Sequence, residues 1–140
     1  MSTFTPEEIA YLQSQRYGRL ATVSQTGELH VVPVTFRYNP LEESIDIGGE
    51  NLVQTKKYRD AVSHGRVAFV VDDVLSPGNM RMIEVRGAVK GLPVGGKEIM
   101  EFFAPEMMRI LPTRIISFGL RSDSVQPGQA RAPIASRKVG

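Results

Sequence analysis

The chain contains no cysteine, which excludes disulfides and thiolate chemistry. It has only two histidines, His30 and His64. A histidine-rich zinc site is therefore excluded as well, and a metal would have to be held mainly by carboxylates. Long apolar runs are missing: stretches such as residues 67–71 reach five residues, far short of the roughly 18 needed to span a bilayer. The N-terminus has no basic n-region and no apolar h-region, so nothing marks it for export and the expected location is the cytoplasm. Charge of one sign is scarce too. Residues 1–120 hold 13 Lys+Arg against 14 Asp+Glu, a net of -1, while residues 121–140 hold 4 against 1, a net of +3. A nucleic-acid-binding fold needs a basic face, so no nucleic-acid partner is expected.

What is present fits one domain. The 140 residues are 41% hydrophobic and 23% charged, with a mean hydropathy of -0.14, the composition of a soluble protein. A domain of this length buries about 68–70% of the surface of its unfolded chain, enough for a core without staples. The expected division is a folded domain over residues 1–120 and a Pro/Ser/Gly/Arg-rich tail over residues 121–140, whose composition predicts mobility.

Local signals give the order of elements. Thr5-Pro6-Glu7-Glu8 puts a hydroxyl at the N-cap, proline at N1 and glutamate at N3, which predicts a helix over residues 6–15. Residues 19–23 and 29–38, rich in Val, Thr, Phe and Tyr and separated by the turn Gln25-Thr26-Gly27-Glu28, predict a hairpin. Pro33 cannot donate to a ladder, so its strand is expected at an edge or bulged there. A strand at residues 44–47 runs into Gly48-Gly49. A second helix is expected over residues 52–63 with Gly65 as its C′ residue. A strand at 67–71, a polar loop at 72–79, a strand at 82–90, a short helix at 97–103 and a strand at 114–118 after Pro112 complete the chain. Six short strands with peripheral helices make the expected fold mainly β, a small closed barrel.

The usual catalytic signatures are weak. Gly-x-Ser-x-Gly and Gly-x-Gly-x-x-Gly do not occur, so neither a nucleophile elbow nor a dinucleotide fingerprint is present. Residues 91–97 match the first seven positions of a P-loop, but Glu98 stands where Ser or Thr must hold magnesium, and a glycine-rich turn before a helix is the better reading. The acid pairs Glu7-Glu8, Glu42-Glu43 and Asp72-Asp73 read as a helix start, a turn and a strand end. The segment from Gly48-Gly49 to Thr55-Lys56-Lys57 is more suggestive. Glycines admit a close ligand, and a helix N-terminus with adjacent lysines favours an anion. On spacing alone, however, those lysines read as solvent-facing.

Several segments together carry a resemblance. They include Arg19-Leu20-Ala21-Thr22-Val23, His30-Val31-Val32-Pro33-Val34, Phe36-Arg37-Tyr38-Asn39-Pro40 and Ile45-Asp46-Ile47-Gly48-Gly49. Lys56-Lys57-Tyr58-Arg59-Asp60, residues 66–73, Ile83-Glu84-Val85-Arg86-Gly87 and residues 112–120 continue the series. The ordered set, over residues 4–120, resembles the pyridoxamine 5′-phosphate oxidase-like split-barrel proteins, and within them the actinobacterial branch that uses the deazaflavin coenzyme F420.

The resemblance implies a six-stranded split β-barrel of the FMN-binding type, a homodimer, and two cofactor sites in grooves between subunits. Val32, Pro33 and Val34 would lie along the tricyclic ring. Ile47, Gly48 and Gly49 would flank the ring or the ribityl chain, and Thr55, Lys56 and Lys57 would bind the phosphate. Residues 73–81 of a second subunit would add further wall. The chain departs from the family pattern at Phe118, where Trp is common, in the loop 74–80, and at Gln54, where a basic residue is common. The implied activity is hydride transfer from the reduced deazaflavin to an electron-poor double bond of a small substrate. In such an enzyme the cofactor carries the hard chemistry, which agrees with the lack of an acid–base pair. Tyr38 and Arg81 are polar enough to deliver a proton, and no residue is assigned as catalytic. Two alternatives stand beside this. One is an FMN-dependent oxidase or reductase of the same fold. The other is a non-catalytic protein that binds a deazaflavin or a haem-like ligand, with His30 as an axial ligand.

Overall fold

The computed structural model describes residues 3–120 and 134–140. Helix α1 (Pro6–Ser14) opens with the expected capping box: the Thr5 hydroxyl accepts from the Glu8 amide, and the Glu8 carboxylate accepts from the Thr5 amide. Seven strands follow: β1 (Tyr17–Val23), β2 (Leu29–Asn39), β3 (Ser44–Gly48), β4 (Arg66–Ser76), β5 (Asn79–Leu92), β6 (Met107–Phe118) and β7 (Ala135–Lys138). Between them lie a 3₁₀ turn (Leu52–Gln54), helix α2 (Lys56–His64) and the single-turn helix α3 (Gly96–Ile99). None of the described helices is long and apolar enough to cross a membrane.

All pairings are antiparallel, in the order β3-β2-β1-β4-β5-β6-β7, and a further β3–β6 contact closes six strands into a barrel. This is the expected mainly β split barrel. Alternation puts Leu20, Ile45, Ile47, Phe69, Val71, Ile83, Val85, Ile110 and Ile115 inside, each at most 1% exposed. The split has a simple origin. β3 holds β6 only through the pairs Ile45↔Ile110, Asp46↔Arg109 and Ile47↔Met108. Beyond that, β6 parts from β3 and pairs with β7 through residues 114–117.

The structure corrects several boundaries. The second helix starts at Lys56, because the 3₁₀ turn comes first and Thr55 caps α2. The short third helix ends at Ile99. The polar stretch 72–79 is the end of a long hairpin: β4 and β5 stay paired to the turn at Pro77-Gly78. Pro112 lies within β6, between the stretches paired to β3 and β7 and beside a bulge opposite Gly87. The ladder tolerates a missing N–H at such places. Pro33 follows the same rule. β3 pairs with β2 only from Thr35 onward, which leaves residues 29–34 with one edge free among the described residues. Of the segment expected to be a mobile tail, residues 135–138 form β7, while residues 121–133 lie outside the described residues.

Candidate functional site

Where β3 ends, β2 keeps an edge unpaired by any other strand among the described residues. Gly48 is the last β3 partner, opposite Thr35. The chain then leaves the sheet through Gly49 and enters the 3₁₀ turn and α2. Gly49 therefore follows the point where β2 loses its partner strand, next to Val32, Pro33 and Val34. Pro33 is exposed and Val32 half-buried, whereas Val34 faces the core.

The neighbouring positions are committed to internal packing. Ile47 is fully buried. A Cβ on Gly48 would stand 2.7 Å from the Phe103 ring, so its missing side chain makes room for Phe103 and Ile99. Gly49 keeps some exposure, and its carbonyl accepts from the Ala104 amide at 3.0 Å.

Helix α2 shows how its start is built. The Thr55 hydroxyl donates to the Leu52 carbonyl at 2.6 Å and accepts from the Tyr58 amide at 3.4 Å. That hydroxyl is spent on shaping the turn. The amides of Lys56 and Lys57 sit in the first helical turn, where no helical carbonyl is available to them. The two lysines differ. Lys56 Nζ is 2.9 Å from Asp60 Oδ2, an i,i+4 pair. Lys57 is half-buried, burial pulls its ammonium below the usual lysine range, and it has no carboxylate partner among the described residues. A desolvated cation beside first-turn amides suits an anion. Sequence spacing could not separate the two lysines; burial does.

Other candidates are placed elsewhere. The P-loop-like segment is bound to itself: Lys97 Nζ donates to the Phe103 carbonyl at 2.9 Å, and the Gly96 amide donates to the Pro105 carbonyl at 2.9 Å. Tyr38 is a core residue, edge-on to Phe4 at 5.4 Å. Arg81 is held bidentately by Asp73, 2.9 and 2.6 Å, and its guanidinium lies 4.8 Å from the Tyr11 ring. Tyr38 thus packs in the core, and Arg81 is engaged in an ion pair. Asp72 pairs with Arg19 at 3.2 Å, and no cluster of three metal-ligating side chains occurs among the described residues. His64 is exposed at the end of α2, and His30 turns its Nδ1 inward.

Two features were missed in the sequence. Asp46 is fully buried across the seam that closes the barrel. Arg109 donates to it at 3.0 and 3.2 Å, Asn39 and Ser44 donate at 2.9 Å each, and Arg37 lies 3.6 Å away. Burial pushes its carboxyl up, but these hydrogen bonds and the Arg109 charge outweigh burial and hold it below the usual range. The alternation Ser44-Ile45-Asp46-Ile47 was the available signal, since it sets Asp46 apart from the isoleucines. The second feature is an apolar outer face. Leu29 is 85% exposed and Val31 65%, with Tyr17 exposed on the same sheet, and Val74, Leu75 and Met80 are exposed at the end of the β4–β5 hairpin. The pairs Val23↔Leu29 and Ala21↔Val31 make the β1–β2 part continuous.

Comparison with known proteins adds one relative and two solved structures of similar fold, although no family model matches the sequence. The chain is 43% identical, over 122 residues and 86% of each chain, to a 5a,11a-dehydrotetracycline/5a,11a-dehydrooxytetracycline reductase of Streptomyces rimosus. A solved FAD-binding protein of Mycobacterium smegmatis superposes with a TM-score of 0.63 at 20% identity, covering 84% of this chain and 96% of that one. A pyridoxamine 5′-phosphate oxidase-related, FMN-binding protein of Nostoc punctiforme gives 0.64 at 11% identity, with both chains fully covered.

Proposed function

The chain belongs to the pyridoxamine 5′-phosphate oxidase-like split-barrel family, and from that membership we propose an oxidoreductase that uses coenzyme F420 to reduce an electron-poor carbon–carbon double bond. The substrate class we infer is a polycyclic dehydro compound, of the kind named for the Streptomyces rimosus reductase. The deazaflavin supplies the hydride when bound.

The chain's own residues bind, orient and exclude water. Lys57, with the first-turn amides of α2, holds the cofactor phosphate. Lys56 adds positive charge, and Thr55 fixes the helix start so that those amides keep their direction. Pro33 and Val32 form the strand edge against which the ring lies, and Gly49 leaves room beside it. Val34, Ile47 and Gly48 act one layer further in, packing the wall behind that edge. Orientation of this kind can supply about 7–11 kcal/mol of barrier reduction, which is why the reading requires no acid–base pair.

A second copy of the chain completes the groove. What supports this is the exposed apolar face of β1–β2 and the apolar hairpin end, since patches of that kind mark interaction surfaces. The observation that carries the cofactor site is Lys57, a half-buried cation without a carboxylate partner among the described residues.

FMN is the second reading, favoured by the solved neighbours described as FAD- and FMN-binding. The test is a parallel titration of the purified protein with oxidised F420 and with FMN, followed by fluorescence. Tight F420 binding with weak FMN binding supports the deazaflavin reductase. The reverse order moves the protein to the flavin branch, and binding of neither overturns both.

A further inference from the structure

Thr22 on β1 and His30 on β2 are register partners. Their side chains therefore rise from the same face of the sheet, directly opposite each other. That face is the barrel interior, and Thr22 is only 4% exposed. Thr22 Oγ1 and His30 Nδ1 are both sealed from solvent, and neither has a hydrogen-bond partner among the described residues.

Helix α2 packs against β1, and its own Ala61 is fully buried. Gln25, in the β1–β2 turn, donates to the Ser63 hydroxyl at 2.8 Å and ties the turn to the helix. The two orphaned atoms thus lie on one register pair, at the end of the hairpin whose turn is tied to α2.

Buried polar atoms are almost always paired, with protein or with ordered water. Side chains on directly opposed residues start from Cβ atoms about 4.5–5.5 Å apart, and a polar gap longer than a direct hydrogen bond is the usual setting for a bridging water. We propose that Thr22 Oγ1 and His30 Nδ1 together bind one internal water molecule, a structural site between β1 and β2. The chemistry fits either neutral form of the imidazole. Water donates to a bare Nδ1 or accepts from Nδ1–H, and the threonine hydroxyl turns to complement it. The same geometry takes His30 Nδ1 out of consideration as an axial ligand, because that atom is committed to the interior. The site does not depend on which cofactor the protein uses.

A high-resolution crystal structure of the full chain tests this directly. The expected result is one water within about 2.7–3.2 Å of both atoms. A direct Thr22–His30 hydrogen bond, or no ordered water between them, overturns the proposal. Thr22→Val and Thr22→Ser give a second measurement. The serine variant should keep the water and a denaturation midpoint close to that of the parent. The valine variant should lose the water and unfold at lower denaturant. A valine variant as stable as the parent overturns the proposal. If that variant does not fold, the parent and serine structures decide the question.

Discussion

Arg137 grips Glu8 from the far end of the chain, with Nη2 2.6 Å from Oε1 and Nη1 2.8 Å from Oε2. A second bond from Nη2 reaches the Thr3 carbonyl at 2.8 Å. Because Arg137 is the register partner of Ile115 on β6, this pair fastens β7 over the part of β6 that β3 leaves uncovered. Glu8 is only 2% exposed, so removing its partner strands a buried charge. Arg137→Ala should therefore cost about 3 kcal/mol, the low end of the range for a broken buried pair because the arginine is itself partly exposed. Glu8→Gln should cost less, since it keeps the cap and leaves a cation that can reach water. Urea midpoints of the two variants give the order. The reverse order would contradict this account of the pair.

The same carboxylate sets a pH dependence. Burial raises the Glu8 carboxyl, but the hydrogen bonds from Arg137 and the Thr5 amide, with the Arg137 charge, outweigh it and leave it lowered from 4.5. Asp46 and Asp73 are likewise lowered from 3.8. A depressed folded value means the unfolded chain binds protons first on acidification. The stabilisation is present above the unfolded values and is lost as pH falls through the folded ones. Urea midpoints should stay flat to about pH 5 and fall steeply toward about pH 3. A midpoint that rises on acidification would refute the assignment.

Much of the fold was legible in local patterns, and the misses have physical causes. The Thr5–Glu8 capping box, the first hairpin and the buried run 67–71 could be read directly, because each is decided by neighbours in the chain. The hairpin beyond Asp72 could not. That arm presents polar and exposed residues on both faces, so the period-2 alternation that marks a strand is absent. β7 could not be read either, since Ala135-Ser136-Arg137-Lys138 has no apolar face and is held by Glu8, 129 residues away. At the candidate site, Gly48-Gly49 looked like room for a ligand, yet Gly48 makes room for Phe103.

Gly87 tests the bulge that lets Pro112 sit inside β6. A Cβ there would run into the Leu111 carbonyl oxygen, a backbone atom that cannot swing aside. Gly87→Ala should destabilise by about 1–3 kcal/mol, as overpacking does. Gly49→Ala meets only Leu52 at 3.6 Å and should change stability little. Thermal unfolding of the pair measures the contrast, and equal midpoints would show that the bulge yields.

The proposed dimer rests on the outer face of β1–β2. Val31 is exposed there, so Val31→Lys should leave the fold intact while placing two like charges in the interface. Analytical ultracentrifugation should find the parent dimeric and the variant monomeric, with matching circular dichroism. A monomeric parent, or a variant that stays dimeric, would move the interface elsewhere.

The two adjacent lysines of α2 give the sharpest test of the phosphate site. Lys56 is matched by Asp60 and sits at the surface, so Lys56→Ala removes an exposed pair worth about 0.2–1 kcal/mol. Lys57 is half-buried and lacks a carboxylate partner among the described residues. A buried charged hydrogen bond to a phosphate is worth about 1.5–3 kcal/mol. Lys57→Ala should therefore weaken cofactor binding roughly 10- to 150-fold, against a few-fold for Lys56→Ala. Turnover at saturating cofactor should change far less than affinity, because a phosphate contact is the same in the ground and transition states. Equal losses from the two variants would mean that general positive charge, rather than one desolvated cation, attracts the ligand. A loss in turnover without a loss in affinity would place Lys57 at the reacting end of the groove.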